Sequence, residues 1–69
     1  MGDDKQDGRK RTNIKIGCDV EIVQKHDQRT GVLTQGVVQR ILTKSKTHPY
    51  GIKVLLESGA VGRVKRVLN

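Results

Sequence analysis

The residues from which a nucleophilic or metal site is usually built are scarce in this chain: one cysteine, Cys18, and two histidines, His26 and His48. A nucleophile needs a base within hydrogen-bond distance, and an extended chain between Cys18 and His26 places them about 25 Å apart at about 3.3 Å per residue. A single cysteine also excludes an intramolecular disulfide and the zinc sites that need two or four cysteines. We therefore expect neither a catalytic site nor a metal or other cofactor, and we interpret Cys18 as a small buried apolar residue.

The acidic residues offer no alternative reaction chemistry. Asp27 and Glu57 are the only acids beside predicted loops, and nothing in the sequence brings them to a shared cleft. A glycine-rich phosphate-binding loop of the usual spacing is absent from the sequence. At 69 residues the chain also has little room for a ligand pocket of about 300 Å³. The sequence thus favours a binding protein over an enzyme.

Positive charge is the strongest compositional signal. The chain carries a formal net charge of +7, and residues 13–69 hold ten Lys and Arg against four Asp and Glu, a net charge of +6. The excess therefore lies in the part expected to fold, and a compact basic domain attracts polyanions. The alternative is a charge that serves solubility alone.

The segment KSKTHPYG gathers the only tyrosine, the only proline and one histidine beside two lysines. The ring of Tyr50 offers a face on which an unpaired base can stack, worth about 1–3 kcal/mol per base, and Lys44, Lys46 and His48 would contact the phosphates. In the alternative the proline stiffens the loop and Tyr50 covers the edge of the core. We favour the core position for Tyr50, which makes the lysines the better binding candidates.

Two further segments present basic side chains. In DQRTG, Arg29 lies at a loop tip and is able to bind a phosphate or a carboxylate in a bidentate manner; alternatively, Asp27 caps the turn by accepting from the backbone of Arg29 or Thr30, and Arg29 stays in solvent. In GRVKR, alternation places Arg63 and Lys65 on one face. Arg40 on a neighbouring strand would extend them into a basic stripe for a phosphate backbone; otherwise the three residues form a solvated strand face.

Period-two alternation of β-branched residues predicts short strands at about 19–25, 36–43, 52–57 and 60–68, with a hairpin turn at Gly59. In the last segment a spacing of three between valines breaks the alternation, and we expect a bulge at Gly62 and a helical turn near 64–67. Residues 1–12 are polar and aperiodic and are predicted to be a disordered tail. The predicted core contains Val20, Ile22, Val38, Ile52, Val54 and Val64.

These elements predict an all-β fold: one small domain over residues 13–69 with four or five short antiparallel strands and no long helix. Closing so small a sheet into a barrel removes its exposed edges. The connectivity is typical of an SH3-like barrel of the kind found in KOW and Tudor domains.

Three segments, VEIVQKHDQRTGVLTQGVV, ILTKSKTHPYGIKVLLE and SGAVGRV, resemble the YwbE-like family of small proteins. The resemblance covers about residues 14–67, although Ile16 stands before Gly17 where many members carry proline. It implies the barrel fold and a cytoplasmic setting, and it implies no particular substrate. No apolar run approaches the roughly 20 residues that span a membrane, and the first residues lack the apolar core of a secretory signal.

Two functions from different classes agree with these observations. The first is a monomeric, non-catalytic module that binds RNA or a ribonucleoprotein with little sequence preference. The second is a protein-interaction module that docks on an acidic partner. A cage for a methylated lysine is a poor version of the second, because such a cage needs several aromatic rings and Tyr50 is alone.

Overall fold

Four antiparallel strands form a closed barrel in residues 7–68, the part of the chain that the computed structural model describes. The strands are β1, Asp19–Gln24; β2, Thr34–Ile41; β3, Lys53–Leu56; and β4, Val61–Val67. Each strand pairs with the next along the chain, and β4 returns to pair with β1. Single-turn 3-10 helices lie at Arg11–Asn13 and Lys25–Asp27. The predicted all-β, SH3-like barrel is confirmed, and each predicted strand overlaps an observed one.

One set of alternating side chains points into the barrel. The core consists of Ile14, Val20, Ile22, Val38, Ile52, Val54, Leu56, Val64 and Val67, each at most 3% exposed. All six predicted core residues belong to it. Alternation alone does not decide the direction of Val38, because β2 has apolar residues on both faces. It is fully buried, whereas its neighbour Val37 is only partly buried.

The irregular valine spacing in β4 comes from a bulge at Lys65. Along the β1–β4 ladder Ile22 pairs with Val64 and Glu21 with Arg66, which leaves Lys65 without a partner. The extra residue allows Lys65 and Arg66 both to be exposed while the valines on either side of them are buried. The predicted helical turn is therefore wrong, and so is the predicted position of the bulge. Gly62 serves a different purpose, because a Cβ there would collide with the carbonyl of Val23.

Residues 7–12, which the sequence assigns to the predicted tail, form an N-terminal strap along the 46–52 loop. The carbonyls of Gly8 and Arg9 accept hydrogen bonds from Ile52 N (2.8 Å) and His48 N (3.0 Å), and Arg11 N donates to the Lys46 carbonyl (2.8 Å). Main-chain pairing holds a polar segment in place here without an apolar pattern that sequence reasoning would detect. Residues 1–6 of the predicted tail lie outside the described residues.

An ion pair within the strap joins Asp7 and Arg9. The Asp7 carboxylate accepts from the Arg9 guanidinium (Nε at 3.1 Å) and from Arg9 N (2.9 Å). These hydrogen bonds lower the pKa of Asp7 below its ordinary value of 3.8. A lowered carboxyl pKa stabilises the folded state at pH values above that ordinary value, and the contribution is lost as the pH falls through the folded pKa.

We expect Val54→Ala to lower the free energy of unfolding by about 2 kcal/mol, because it removes buried methyl groups and leaves a cavity. Val54 is fully buried between β2 and β4. Val61→Ala makes the same chemical change at a side chain that is 37% exposed, and we expect a loss of about 0.5 kcal/mol or less there. Denaturant unfolding of the two variants compares them, and equal losses would show that the inward face has been misassigned.

Candidate nucleic-acid interface

A cleft of about 530 Å³ brings together two loops that are well separated in the sequence. The turn at 27–31 contributes Gln28 and Gly31, and the 48–51 loop contributes Tyr50. The outer faces of β1 and β4 supply Val23, Arg63 and Lys65. The segments DQRTG and THPYG, which are about 20 residues apart in the sequence, thus belong to one surface.

Pairing of β1 with β4 builds the strand side of this cleft. Val23 lies opposite Arg63 in the ladder, on the outer face of the barrel. Val23 is nevertheless only 6% exposed, so it forms an apolar base beneath the surrounding side chains. Two residues along β4, the bulge leaves Lys65 exposed on the same cleft. The predicted juxtaposition of Arg63 and Lys65 is therefore observed.

The turn at 27–31 is closed by main-chain atoms. The carbonyl of Asp27 accepts from Gly31 N (2.8 Å), Thr30 N (3.2 Å) and the Thr30 hydroxyl (3.2 Å). Asp27 thus accepts from the backbone of Thr30, as predicted, but it does so through its carbonyl oxygen. Its carboxylate lies 3.4 Å from His26 Nε2. Gly31 has a φ of 74°, as expected for this turn. Arg29 is exposed at its tip, between the two residues that line the cleft.

Tyr50 projects from the surface with 70% of its area exposed, so the prediction that it covers the core edge is wrong. Ile52 fills the core in its place. The loop is held through its main chain: Tyr50 N donates to His48 Nδ1 (3.1 Å), and Gly51 N donates to the His48 carbonyl (3.0 Å). Arg63 Nη1 donates to the Gly51 carbonyl (3.1 Å) from below. These bonds fix the backbone of an aromatic residue whose ring is left available.

The charge of the cleft is positive. Arg63 and Lys65 are its ionised lining residues, and no Asp or Glu within residues 7–68 lines it. The rings of Tyr50 and His48 lie 5.9 Å apart between centroids, at an angle of 48°. An exposed ring next to a guanidinium and an ammonium group suits a ligand with a flat apolar part and a negative charge.

The other predicted site residues lie away from this cleft. Arg40 is exposed on β2 opposite Leu55, and β3 separates it from Arg63, so the predicted three-residue stripe does not form. Lys44 and Lys46 are exposed on the loop between β2 and β3 and do not line the cleft. His48 contacts Tyr50, but it lines a separate depression beside the N-terminal strap.

Sequence reasoning missed Val23, Gln28 and Gly31 as lining residues. The sequence does contain a signal for Val23, because alternation assigns this residue to the outer face of β1. An apolar side chain on an outer face indicates that other residues pack over it. The sequence contains no such signal for Gln28 and Gly31, since their position depends on how the turn lies over β4.

Residues 7–68 meet the requirements of neither a metal site nor a membrane-spanning helix. No group of three His, Cys, Asp or Glu side chains in this range is placed to hold a metal ion. Cys18 is partly buried against the core, and its Sγ accepts from Lys15 N at 3.4 Å. No helix in this range has the length and apolar character that crossing a membrane requires.

Comparison with known proteins identifies the family. The family model described as "Uncharacterized conserved protein (DUF2196)" matches residues 7–67. The chain belongs to this family. A relative from Bacillus subtilis (strain 168), described as "Uncharacterized protein YwbE", is 52% identical over 62 residues, which is 90% of this chain and 95% of the relative. No solved structure matches the chain.

The YwbE-like family predicted from three sequence segments is thus confirmed. The DUF2196 match begins at Asp7 and therefore includes the N-terminal strap as well as the barrel. Both loops of the cleft and the whole of β4 fall within it.

Proposed function

We propose that this protein is a non-catalytic module that binds single-stranded RNA, free or exposed in a ribonucleoprotein, through the tyrosine cleft, with little sequence preference. The tyrosine cleft is the surface lined by Val23, Gln28, Gly31, Tyr50, Arg63 and Lys65. The observation that carries the proposal is an exposed aromatic ring beside two cations, in a cleft that no acidic residue of the described range 7–68 lines. The proposed setting is cytoplasmic, in keeping with an RNA ligand.

The division of roles follows from the chemistry of the lining residues. Tyr50 stacks on one unpaired base, an interaction worth about 1–3 kcal/mol. Arg63 and Lys65 bind the adjoining phosphates. A guanidinium carries five N–H donors, so the bond from Arg63 to the Gly51 carbonyl leaves others for a phosphate oxygen. Neither stacking nor phosphate contact reads the identity of the base.

Fluorescence anisotropy of a labelled single-stranded RNA over a range of salt concentrations tests the proposal. Each phosphate contact on a single strand contributes about −0.7 to the log–log slope, so contacts from Arg63 and Lys65 by themselves predict a slope of roughly −1.4. Absence of binding to RNA and DNA even at about 50 mM salt, where screening is weak, would refute it. An equal affinity for poly-glutamate would instead indicate an acidic protein partner.

A pair of matched charge reversals distinguishes RNA binding at the tyrosine cleft from attraction to the net positive charge of the protein. We expect Lys65→Glu to weaken every RNA sequence about equally and by about tenfold, because a phosphate contact carries no base information. Lys44→Glu changes the net charge by the same amount at an exposed residue outside the tyrosine cleft. The sequence-based prediction that Lys44 and Lys46 contact phosphates is tested by the same measurement. Equal losses from the two variants would show that the tyrosine cleft is not the main binding site.

A further inference from the structure

A second depression of about 460 Å³ adjoins the tyrosine cleft on the outside of the barrel. Three residues, Val23, Gln28 and Arg63, line both, so the two are parts of one continuous surface. The residues that belong only to the second depression include Lys25 and Lys53.

Strand register explains why these cations gather. Lys53 on β3 lies directly opposite Arg63 on β4, and neighbouring strands are about 4.8 Å apart. Lys65 follows Arg63 two residues later on β4, about 7 Å along the strand. Lys25 comes directly after β1, as the first residue of the 3-10 helix Lys25–Asp27, and it lines the second depression. Arg63 is therefore the junction of a basic path that extends from Lys65 and Tyr50 to Lys53 and Lys25.

The path carries uncompensated charge. Within residues 7–68 none of its four cations takes part in an ion pair, and no acidic residue lines either depression. Lys25, Lys53 and Lys65 are exposed, and Arg63 is partly buried. A surface of this kind with an aromatic ring near one end has the form of a groove that follows a single-stranded backbone.

We infer that Lys25 and Lys53 extend the binding site, so that the ligand is a single-stranded RNA of several nucleotides rather than a nucleotide or dinucleotide. The inference rests on the proposed function and adds two residues that the sequence had not singled out. One base stacks on Tyr50. Arg63 and Lys65 bind the phosphates that adjoin this base, and Lys53 and Lys25 bind phosphates further along the RNA strand.

Titration of a dinucleotide and a hexanucleotide into the intact chain tests this inference. The double variant Lys25→Gln with Lys53→Gln should weaken hexanucleotide binding about tenfold at 0.1 M salt and make the salt slope less negative by about 1.4, the loss of two single-strand contacts. Dinucleotide affinity should stay nearly unchanged. The matched control, Lys44→Gln with Lys46→Gln, removes the same charge outside both depressions and should affect the hexanucleotide less. Amide NMR shifts of Lys25 and Lys53 should respond to the hexanucleotide and not to the dinucleotide.

The outcomes distinguish this inference from the function on which it rests. Equal weakening of both ligands, or no weakening of either, by the Lys25 and Lys53 changes would overturn the extended site and leave the tyrosine cleft standing. An equal loss in the matched control would overturn it as well, since only net charge would then matter. If the unmodified chain binds neither ligand, or if Tyr50→Ala and Lys65→Gln leave hexanucleotide binding unchanged, the proposed function itself fails and the extended site fails with it.

Discussion

Replacing Gly51 with alanine is expected to lower the free energy of unfolding by about 3 kcal/mol or more. Gly51 is buried and has a φ of 107°, a conformation that other residues rarely adopt. Strain of this kind costs about 1–3 kcal/mol. An added Cβ would in addition collide with the carbonyl oxygen of Val64 and lie 3.4 Å from the Cβ of Arg63.

Gly59→Ala is the matched control for this change. Gly59 has a similar φ of 97°, but a Cβ there would meet no atom within 4 Å. The control therefore carries the backbone strain without the collision. Denaturant unfolding should show a clearly larger loss for Gly51→Ala, up to complete unfolding of so small a domain. If Gly51→Ala lowers the free energy of unfolding no more than Gly59→Ala does, β4 must shift enough to accommodate the added methyl group.

Gly51 also connects stability with the binding surface. Its carbonyl accepts the hydrogen bond from Arg63, and it directly follows Tyr50. Close approach of the 48–51 loop to β4 therefore sets both the position of the ring and the direction of the guanidinium. Only a residue without a side chain permits that approach.

Tyr50→Ala is expected to weaken RNA binding by about 5- to 150-fold, which corresponds to the roughly 1–3 kcal/mol of one base stacked on an aromatic ring. The side chain is 70% exposed, so the free energy of unfolding should change by about 0.5 kcal/mol or less. Tyr50→Phe keeps the ring and should keep most of the affinity. If Phe loses as much as Ala, the hydroxyl group rather than stacking makes the contact.

The composition of the chain offers a direct measurement of this contact. Tyr50 is the only tyrosine, and the chain has no tryptophan, so all intrinsic fluorescence comes from one ring. A base stacked on that ring should quench the emission in step with the anisotropy change of the RNA. Binding without any quenching would remove Tyr50 from the interface while leaving the phosphate contacts to be explained by the cations alone.

A loss of stability in Tyr50→Ala would have a different meaning. It would support the interpretation of Tyr50 as a cover for the core, which its exposed position in the structure contradicts. The two readouts are independent, because one follows the RNA and the other follows unfolding of the protein.

The sequence by itself determined where the four strands lie and which faces of β1 and β3 point inward. The alternation that places Val20 and Ile22, or Val54 and Leu56, on one face depends on the geometry of a single extended segment, and it is fully borne out in the core. The positive charge and the family resemblance are likewise properties of the linear chain. The hairpin turn at Gly59 was recognisable for the same reason.

Only the tertiary structure decided the candidate site. Its members come from β1, a turn, a loop and β4, and they meet because β4 closes the barrel on β1 with a bulge at Lys65. A one-residue irregularity in register reverses which side chains face outward, and nothing local in the valine spacing distinguishes a bulge from a helical turn. Local sequence patterns also could not predict the exposure of Tyr50 or the pairing of Lys53 with Arg63. Each depends on how closely two backbone segments that are distant in the sequence approach each other.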